Sequence, residues 1–229
     1  SAKEKYQASV ELEAVGGAAL RSLETAMEAG DEWTALYAAE ALAYLESQRG
    51  AEKVFELANS SDEAVRLEAV KFAGQLAGRR SVQVLREKVL DSSGRVAMEA
   101  VNALVAIGED AATRIRLSQF DIVVVPGTSA GIIVKPKGRP MVVVAGGGAA
   151  LKGKVAVKMP GLAIGSVDES RVGILSGEAP EIASIEVAAT VDNVMAALAR
   201  ANPDFGTVLK VIGSLEDAGN LPYKITWLD

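Results

Sequence analysis

The sequence predicts an α+β fold, with an N-terminal α-solenoid of paired helices followed by a small β-rich module that ends in a helical hairpin. One observation is a helical pattern that returns three times at an interval of 31 residues, at 35–42, 66–73 and 97–104. The other is a change after Leu117, where short Val- and Ile-rich runs bounded by Pro and Gly replace the helical period. A fixed period of this length is typical of a solenoid, in which each unit buries its apolar face against its neighbours. We therefore divide the chain into an array, 1–118, and a β-rich module, 119–229.

Each unit of the array is predicted to contain a first helix with the repeated pattern and a shorter amphipathic second helix. The second helices are expected at 18–29, 51–59, 81–90 and 109–117. Glycine closes a helix at little conformational cost, so glycines are expected in the turns within units; these are Gly16-Gly17, Gly50, Gly78 and Gly108. N-caps for the next first helix are expected from Gly30-Asp31, Ser60-Ser61-Asp62 and Asp91-Ser92-Ser93.

Two stretches of the array resemble HEAT repeats, which place an acidic cap and Val-Arg ahead of an Ala-rich helix. They are residues 62–70 (Asp-Glu-Ala-Val-Arg-Leu-Glu-Ala-Val) and 94–101 (Gly-Arg-Val-Ala-Met-Glu-Ala-Val). The resemblance covers about half of the chain. It implies a helical solenoid whose surface holds another macromolecule, and it leaves the partner open.

The module from residue 119 predicts a small sheet, sandwich or barrel-like fold, because its β-branched runs alternate with turn residues. Strong runs occupy 121–126, 131–134, 141–145 and 154–158, and weaker ones 172–175 and 184–187. The run 154–158 alternates Lys with Val or Ala, as expected of an edge strand with one wet face. A helix is then expected from Thr190 to Asn202, a second from about Asp204 to Ala218, and a last strand at 223–227 that pairs with the sheet.

This C-terminal region, 189–228, resembles the end of the bacterial flagellar basal-body P-ring protein. The matching segments are 190–198 (Thr-Val-Asp-Asn-Val-Met-Ala-Ala-Leu) and 208–221, which closes on Ala-Gly-Asn-Leu. A helical-repeat array is not part of the usual P-ring protein, and 119–188 does not match that family. The resemblance implies a periplasmic, non-enzymatic component that assembles with copies of itself around the flagellar rod.

Composition excludes several classes of site. The chain has no cysteine and no histidine, so disulfides, thiol nucleophiles, Cys/His zinc sites and Ser-His-Asp triads are ruled out. A net charge of −6 argues against whole-chain attraction to nucleic acid. No apolar run has the length of a membrane span. Carboxylates on the array are spaced as solvated helix faces, and Glu40, Lys71 and Asn102 are expected to form an outward row. We therefore predict no catalytic residue, no metal site and no cofactor.

The candidate partner-binding residues are mainly basic. Between Asp121 and Asp168 there is no acidic residue, while the segment 135–158 carries Lys135, Lys137, Arg139, Lys152, Lys154 and Lys158. Such a cluster suits an acidic partner; the alternative is a set of solvated strand ends. The segment contains no aromatic residue on which bases could stack, so nucleic acid is not an expected ligand. Trp33 is a further candidate as an interface anchor, although packing against Tyr37 is the alternative. Tyr44, Phe55 and Phe72 are expected in the core.

The tri-glycine segment, Gly146-Gly147-Gly148, invites comparison with a phosphate-binding loop. It matches neither common phosphate-loop motif, and the following residues look like a strand. A hairpin or flexible loop is therefore the favoured interpretation.

The expected function is a non-enzymatic structural or scaffolding protein with protein partners, in its specific version a divergent P-ring-like component that self-associates. The alternatives are a HEAT-repeat adaptor and an anion- or nucleotide-binding protein that uses the 145–154 loop. The first version implies a periplasmic location, and the adaptor a cytoplasmic one. The chain begins at Ser1 without a methionine, as a processed product or an excised fragment would.

Overall fold

A computed structural model describes residues 2–28, 30–76, 78–177 and 182–228, and it confirms the α+β fold class. The chain divides into two compact units, Ser1–Ile107 and Gly108–Asp229. The first unit is helical, whereas the second combines two β-sheets with two helices. No helix among the described residues is both long and apolar enough to cross a membrane.

The first unit is an array of helix pairs. Its elements are α1 (Ala2–Val15), a 3₁₀ turn (Gly16–Ala19), α2 (Leu20–Glu28), α3 (Glu32–Tyr44), α4 (Gln48–Leu57), α5 (Glu63–Gln75), α6 (Arg79–Lys88) and α7 (Gly94–Ile107). The first helices α3, α5 and α7 begin at 32, 63 and 94, which confirms the period of 31 residues. The second helices α4 and α6 begin at 48 and 79, with the same interval. The predicted last residue of the helix expected at 18–29, Ala29, lies outside the described residues.

The period is visible in the core of the array, where residues 31 apart are fully buried in successive first helices. One set is Ala39, Val70 and Val101, and another is Leu42, Ala73 and Leu104. A cap forms in each of the three expected segments: Asp31 accepts a hydrogen bond from the Thr34 amide at 3.0 Å, Asp62 from the Ala64 amide at 2.8 Å, and Ser93 from the Val96 amide at 3.4 Å. Small side chains let helices approach closely, so the array packs without many large aromatics.

The prediction of a turn at Gly50 was wrong. Gly50 lies inside α4 and is buried, and a Cβ there would lie 2.6 Å from the Ala39 carbonyl oxygen. The α3–α4 turn is instead formed by residues 45–47, with Glu46 at a φ of 62°. Gly16, Gly78 and Gly108 do have positive φ, as expected of glycine turns.

Two further predictions about side chains of the array were wrong. Glu40 is buried, so it does not belong to an outward row with Lys71 and Asn102. Tyr44 is 44% exposed, whereas Phe55 and Phe72 are buried as predicted. Glu40 is buried because α1 packs beside α3 at the beginning of the array, where the repeat pattern has no earlier copy to define the faces.

The helix predicted at 109–117 does not form. Gly108, with a φ of 126°, follows the end of α7, and β1 (Thr113–Arg116) pairs antiparallel with β2 (Asp121–Val125). The Leu117 amide donates to the Phe120 carbonyl at 2.9 Å and closes this hairpin. Pairing with a strand therefore decides the structure of this segment, and the units divide at residues 107 and 108, not at 118.

The second unit contains two sheets. The remaining elements are β3 (Gly131–Lys135), β4 (Met141–Ala145), β5 (Ala156–Met159), β6 (Leu162–Ser166), β7 (Arg171–Ser176), β8 (Ala183–Ala188), α8 (Val191–Arg200), α9 (Phe205–Asp217) and β9 (Ile225–Trp227). The five-stranded sheet has the order β1-β2-β4-β3-β9, with β2–β4 and β3–β9 parallel. The other is the antiparallel meander β5-β6-β7-β8.

The predicted strands and both C-terminal helices are confirmed, and β9 pairs with the sheet as expected. β1 and β6 were not predicted. The core of this unit combines buried side chains from both sheets with the apolar stripes of α8 and α9, including Val142, Ile164, Met195 and Ile212. β5 is an edge strand with Val157 buried and Lys158 exposed, which confirms the reading of 154–158.

Candidate protein-binding surface

The helical array carries a groove of about 980 Å³. Its walls come from the end of α2, the start of α3, the length of α4 and one residue of α6, Arg80. Buried apolar side chains of successive units line its floor, namely Met27, Ala35, Phe55 and Leu57. The groove therefore crosses three consecutive helix pairs, which is possible because their helices repeat in one register.

Charged side chains on the groove walls pair with one another across units. Arg49 of α4 lies 2.8 Å from Glu28 of α2, and Arg80 of α6 lies 3.9 Å from Glu52 of α4. Within α4, Lys53 lies 2.8 Å from Glu56. Most of these side chains are well exposed, so each pair contributes little to stability. Such charges can exchange their present partners for those of a bound protein.

Asp31, which also lines the groove, is held by two neighbouring side chains. Hydrogen bonds from Lys5 and from Thr34 hold the pKa of Asp31 well below its usual range. The Lys5 Nζ lies 2.6 Å from Asp31 Oδ1. This carboxylate is therefore ionised at neutral pH, and its charge is paired with that of the Lys5 ammonium.

The six basic residues of the segment 135–158 lie on a hairpin, on a loop and along an edge strand of the second unit. Lys135, Lys137 and Arg139 lie around the hairpin that precedes β4, whereas Lys152 lies beyond the loop that follows β4. Lys154 precedes the edge strand β5 of the other sheet, and Lys158 lies within that strand. Binding of an acidic partner by these residues stays a prediction, with solvated strand ends as its alternative.

Arg139 is engaged within the protein. Its Nε donates to Asp121 Oδ1 at 3.0 Å, and its guanidinium also donates to the Leu117 carbonyl at 2.7 Å. Arg114 Nε donates to the other carboxylate oxygen of Asp121 at 2.9 Å. Burial raises the pKa of Asp121, but the hydrogen bonds from Arg139 and Arg114 outweigh it, so the net pKa is lowered. Arg139 therefore stabilises the β1–β2 hairpin and is a poor candidate for partner binding.

The tri-glycine loop does not have the geometry of a phosphate site. The loop leads into β5 and not into a helix, and four of its backbone amides, those of Gly146, Leu151, Lys152 and Val155, donate to the chain itself. A Cβ on Gly147 would lie 3.6 Å from a carboxylate oxygen of Asp192, which would repel an anion. Close packing explains why residue 146 is a glycine, because a Cβ on Gly146 would lie 2.7 Å from Ala130 Cα.

Trp33 packs within the array. Its ring is half-buried, and its centroid lies 5.7 Å from that of Tyr37. The expected contact between these two residues is confirmed. The groove residues were not identified from the sequence, although one signal was present: Arg49 and Arg80 occupy equivalent positions, 31 residues apart, on α4 and α6.

The family model of HEAT repeats matches residues 20–105, which span α2 to α7 except for the last two residues of α7. No curated protein matches the chain. HEAT repeats indicate a role in protein interaction or scaffolding. The helical array of this chain is thus similar to HEAT repeats both in its sequence and in the order of its helices.

Proposed function

We propose that this protein is a non-enzymatic scaffold whose helical array binds a protein partner through the groove of α2, α3, α4 and α6. The observation that carries the proposal is a groove of about 980 Å³ that crosses three units of an array similar to HEAT repeats. Arrays of this kind offer extended surfaces, and contact is distributed over several repeats.

The groove walls indicate which kind of partner fits. Both signs of charge are present and already paired, so a strongly acidic or strongly basic partner would leave one set of groove charges uncompensated. A partner segment with both charges can replace these pairs one by one. The apolar floor then offers an anchor for a side chain that passes between the charged walls.

The test is site-specific photo-crosslinking with the full chain. A photoreactive residue at position 48, inside the groove, should capture one saturable partner, whereas the same residue at position 95, on the exposed start of α7, should not. Arg49→Glu with Arg80→Glu should abolish capture, because both substitutions place like charges together across the groove. Arg95→Glu is the matched control and should leave capture unchanged. Equal capture from both positions, or capture that survives the double substitution, would contradict the proposal.

A more specific version is self-association as a divergent P-ring-like component, in the periplasm. It depends on the resemblance of residues 189–228 and is supported by the helix–helix–strand order of that region. β5 and β8 also lie at the edges of their sheet and leave backbone groups available for pairing with another copy. In the alternative, the protein is a cytoplasmic adaptor that acts as a monomer.

Light scattering and sedimentation velocity distinguish the two versions. Assembly into rings predicts large, discrete homo-oligomers whose proportion rises with protein concentration. A Lys or Pro substitution at Ile185 of the edge strand β8 should then shift the protein toward the monomer. A chain that stays monomeric at high concentration would exclude the P-ring-like version and leave the groove proposal intact.

A further inference from the structure

The antiparallel meander β5-β6-β7-β8 has one face in the core of the second unit and one face open to solvent. The open face carries two rows of cross-strand neighbours, which define it and line a groove of about 420 Å³. They are Lys158, Ala163, Leu175 and Ser184 in one row, and Ala156, Gly165, Gly173 and Glu186 in the other. We propose that the open face binds the same face of a second copy of this chain, as a two-fold symmetric dimer.

The composition of the open face differs from that of a sheet face that meets only water. Such a face usually presents polar side chains in alternation with the buried ones. Here the central positions on β6 and β7 carry Ala163, Gly165, Gly173 and Leu175, none of which has a polar side chain. Leu175 is 46% exposed, and Val167, which follows β6, is 48% exposed. These two apolar side chains stand beside small residues and are stabilised when a partner covers them.

Gly165 indicates that the partner approaches closely. It lies inside β6 without a positive φ, and among the described residues a Cβ there would meet only the Val155 carbonyl oxygen, at an ordinary 4.0 Å. Its cross-strand neighbour Gly173 is different, because a Cβ there would lie 3.3 Å from Val167 Cγ2. A glycine inside a strand weakens it and often marks a place where another backbone approaches. Packing within the chain does not require Gly165, whereas a second sheet on the open face does.

The charges of the open face lie at opposite edges of the sheet. Lys158 is on β5 and has no ion pair with another described residue. Glu186 is on β8 and lies 3.0 Å from Arg171, which also pairs with Asp168 at 2.7 Å. Two carboxylates therefore share one guanidinium at this edge. The face is positive along β5 and negative along β8, so it complements a copy of itself in one orientation.

Size and charge select the same orientation. Two identical sheets packed face to face have their two-fold axis in the plane between them. An axis along the strands, between β6 and β7, places β5 of one copy over β8 of its partner and β6 over β7. Leu175 then lies over the small side chain of the partner's Ala163.

Lys158 in this arrangement lies over the partner's Ser184, about 7 Å along the strand from the partner's Glu186. A lysine side chain spans this distance. An axis across the strands would instead bring both Lys158 side chains to one edge of the dimer, where they would repel each other.

The dimer is expected to be weak. Four strands about 4.8 Å apart and about five residues long give a face of roughly 19 by 17 Å, which is small beside the standard interface of about 800 Å² per partner. Two-fold symmetry also closes the assembly at two copies, whereas pairing of sheet edges can continue to larger species. The inference therefore rests neither on the P-ring-like version nor on the groove of the helical array.

The test is sedimentation equilibrium of the full chain from about 10 μM to about 1 mM. The wild type should show a reversible monomer–dimer equilibrium. Gly165→Thr should weaken dimerisation at least about tenfold, because a branched side chain holds the sheets apart. Its melting temperature should be unchanged or higher, since a Cβ has room at this position and threonine favours strands. A wild type that stays monomeric, or a Gly165→Thr variant that dimerises as well as the wild type, would overturn the proposal.

Charge exchange tests the orientation. Lys158→Glu and Glu186→Lys should each weaken dimerisation about fivefold, and the double variant should recover most of the loss. Lys210→Glu is the matched control, because Lys210 is an exposed lysine of α9, whose buried side chains belong to the core. A double variant no better than the single ones would contradict the axis along the strands. Capture at position 48 of the groove should be unchanged in Gly165→Thr, so the two proposals fail separately.

Discussion

Asp121 shows how a single buried carboxylate connects strands of the second unit. It lies fully buried at the start of β2 and accepts hydrogen bonds from Arg114 of β1 and from Arg139, just before β4. The three strands are neighbours in the sheet, so one carboxylate joins their ends. From the sequence alone, Arg139 was a candidate for partner binding. No local pattern links it to Asp121, which lies 18 residues earlier.

Replacing Asp121 with Asn should destabilise the second unit by about 2–4 kcal/mol, because two arginines would then face an uncharged, buried amide. The figure is below that for a fully desolvated pair, since the guanidinium of Arg139 is half exposed. Urea denaturation measures the change. Asp168→Asn, which removes an exposed carboxylate that pairs with Arg171, is the control and should cost less than about 1 kcal/mol.

The same site predicts a dependence of stability on acid pH. The folded pKa of Asp121 is lowered, so its contribution is fully present above the ordinary carboxyl pKa of about 4 and is lost as the pH falls below it. The wild-type chain should therefore lose more stability between about pH 5 and pH 2 than Asp121→Asn does. Parallel curves for the two proteins would show that Asp121 is not the responsible group.

At the scale of elements, Gly50 shows that close helix packing can resemble turn chemistry in a sequence. α4 lies directly against α3 at this glycine, and a Cβ would meet the backbone of Ala39 and Ala43 at 2.6–2.7 Å. Backbone atoms cannot yield as a flexible side chain does. The glycine is therefore required by the distance between two helices and not by its own φ angle.

Gly50→Ala should destabilise the array by about 1–3 kcal/mol, because the helices must separate to admit the methyl group. Gly213→Ala is the matched control: Gly213 is also inside a helix, α9, but a Cβ there has no neighbour within 4 Å. That substitution should stabilise the protein by up to about 1 kcal/mol through higher helix propensity. Thermal or urea unfolding that moved both variants in the same direction would contradict this account.

The tri-glycine loop is the second element for which a local sequence pattern suggests the wrong chemistry, in this case phosphate binding. The Gly146 amide and three later ones, those of Leu151, Lys152 and Val155, donate within the chain, and Asp192 lies beside Gly147. Addition of inorganic phosphate or of ATP should therefore produce no saturable shift of the melting temperature at constant ionic strength. A saturable rise, lost in Lys152→Ala, would restore the anion-binding alternative.

At the scale of the whole molecule, the chain contains two units, each with a hydrophobic core of its own. Each unit also contains one tryptophan, Trp33 in the array and Trp227 in β9. Because the two cores are separate, a substitution that creates a cavity in one unit removes buried contacts from that unit first. The two tryptophans therefore provide a local reporter for each.

Leu42→Ala should lower the unfolding midpoint reported by Trp33 more than that reported by Trp227, because Leu42 is fully buried in the array; the expected loss is about 2–5 kcal/mol. Met195→Ala, in α8, should instead lower the unfolding midpoint reported by Trp227 more than that reported by Trp33. Each substitution is measured in two variants of the protein, Trp33→Phe and Trp227→Phe, each of which keeps one tryptophan. Coincident shifts of both reporters would mean that the two units unfold as one.

Local and periodic information was sufficient for much of this architecture. Burial repeats at 31 residues because Ala39, Val70 and Val101 hold equivalent positions on successive first helices, and alternation marks β5 as an edge strand. Tertiary structure alone decided the rest. Thr113–Arg116 forms a strand because it pairs with β2. Arg139 donates a hydrogen bond to a buried carboxylate on another strand, that of Asp121. The candidate binding groove likewise depends on side chains that several helices bring together, and a period describes one helix face at a time. Repetition and alternation therefore determine which elements form, whereas the contacts between them determine where a partner can bind.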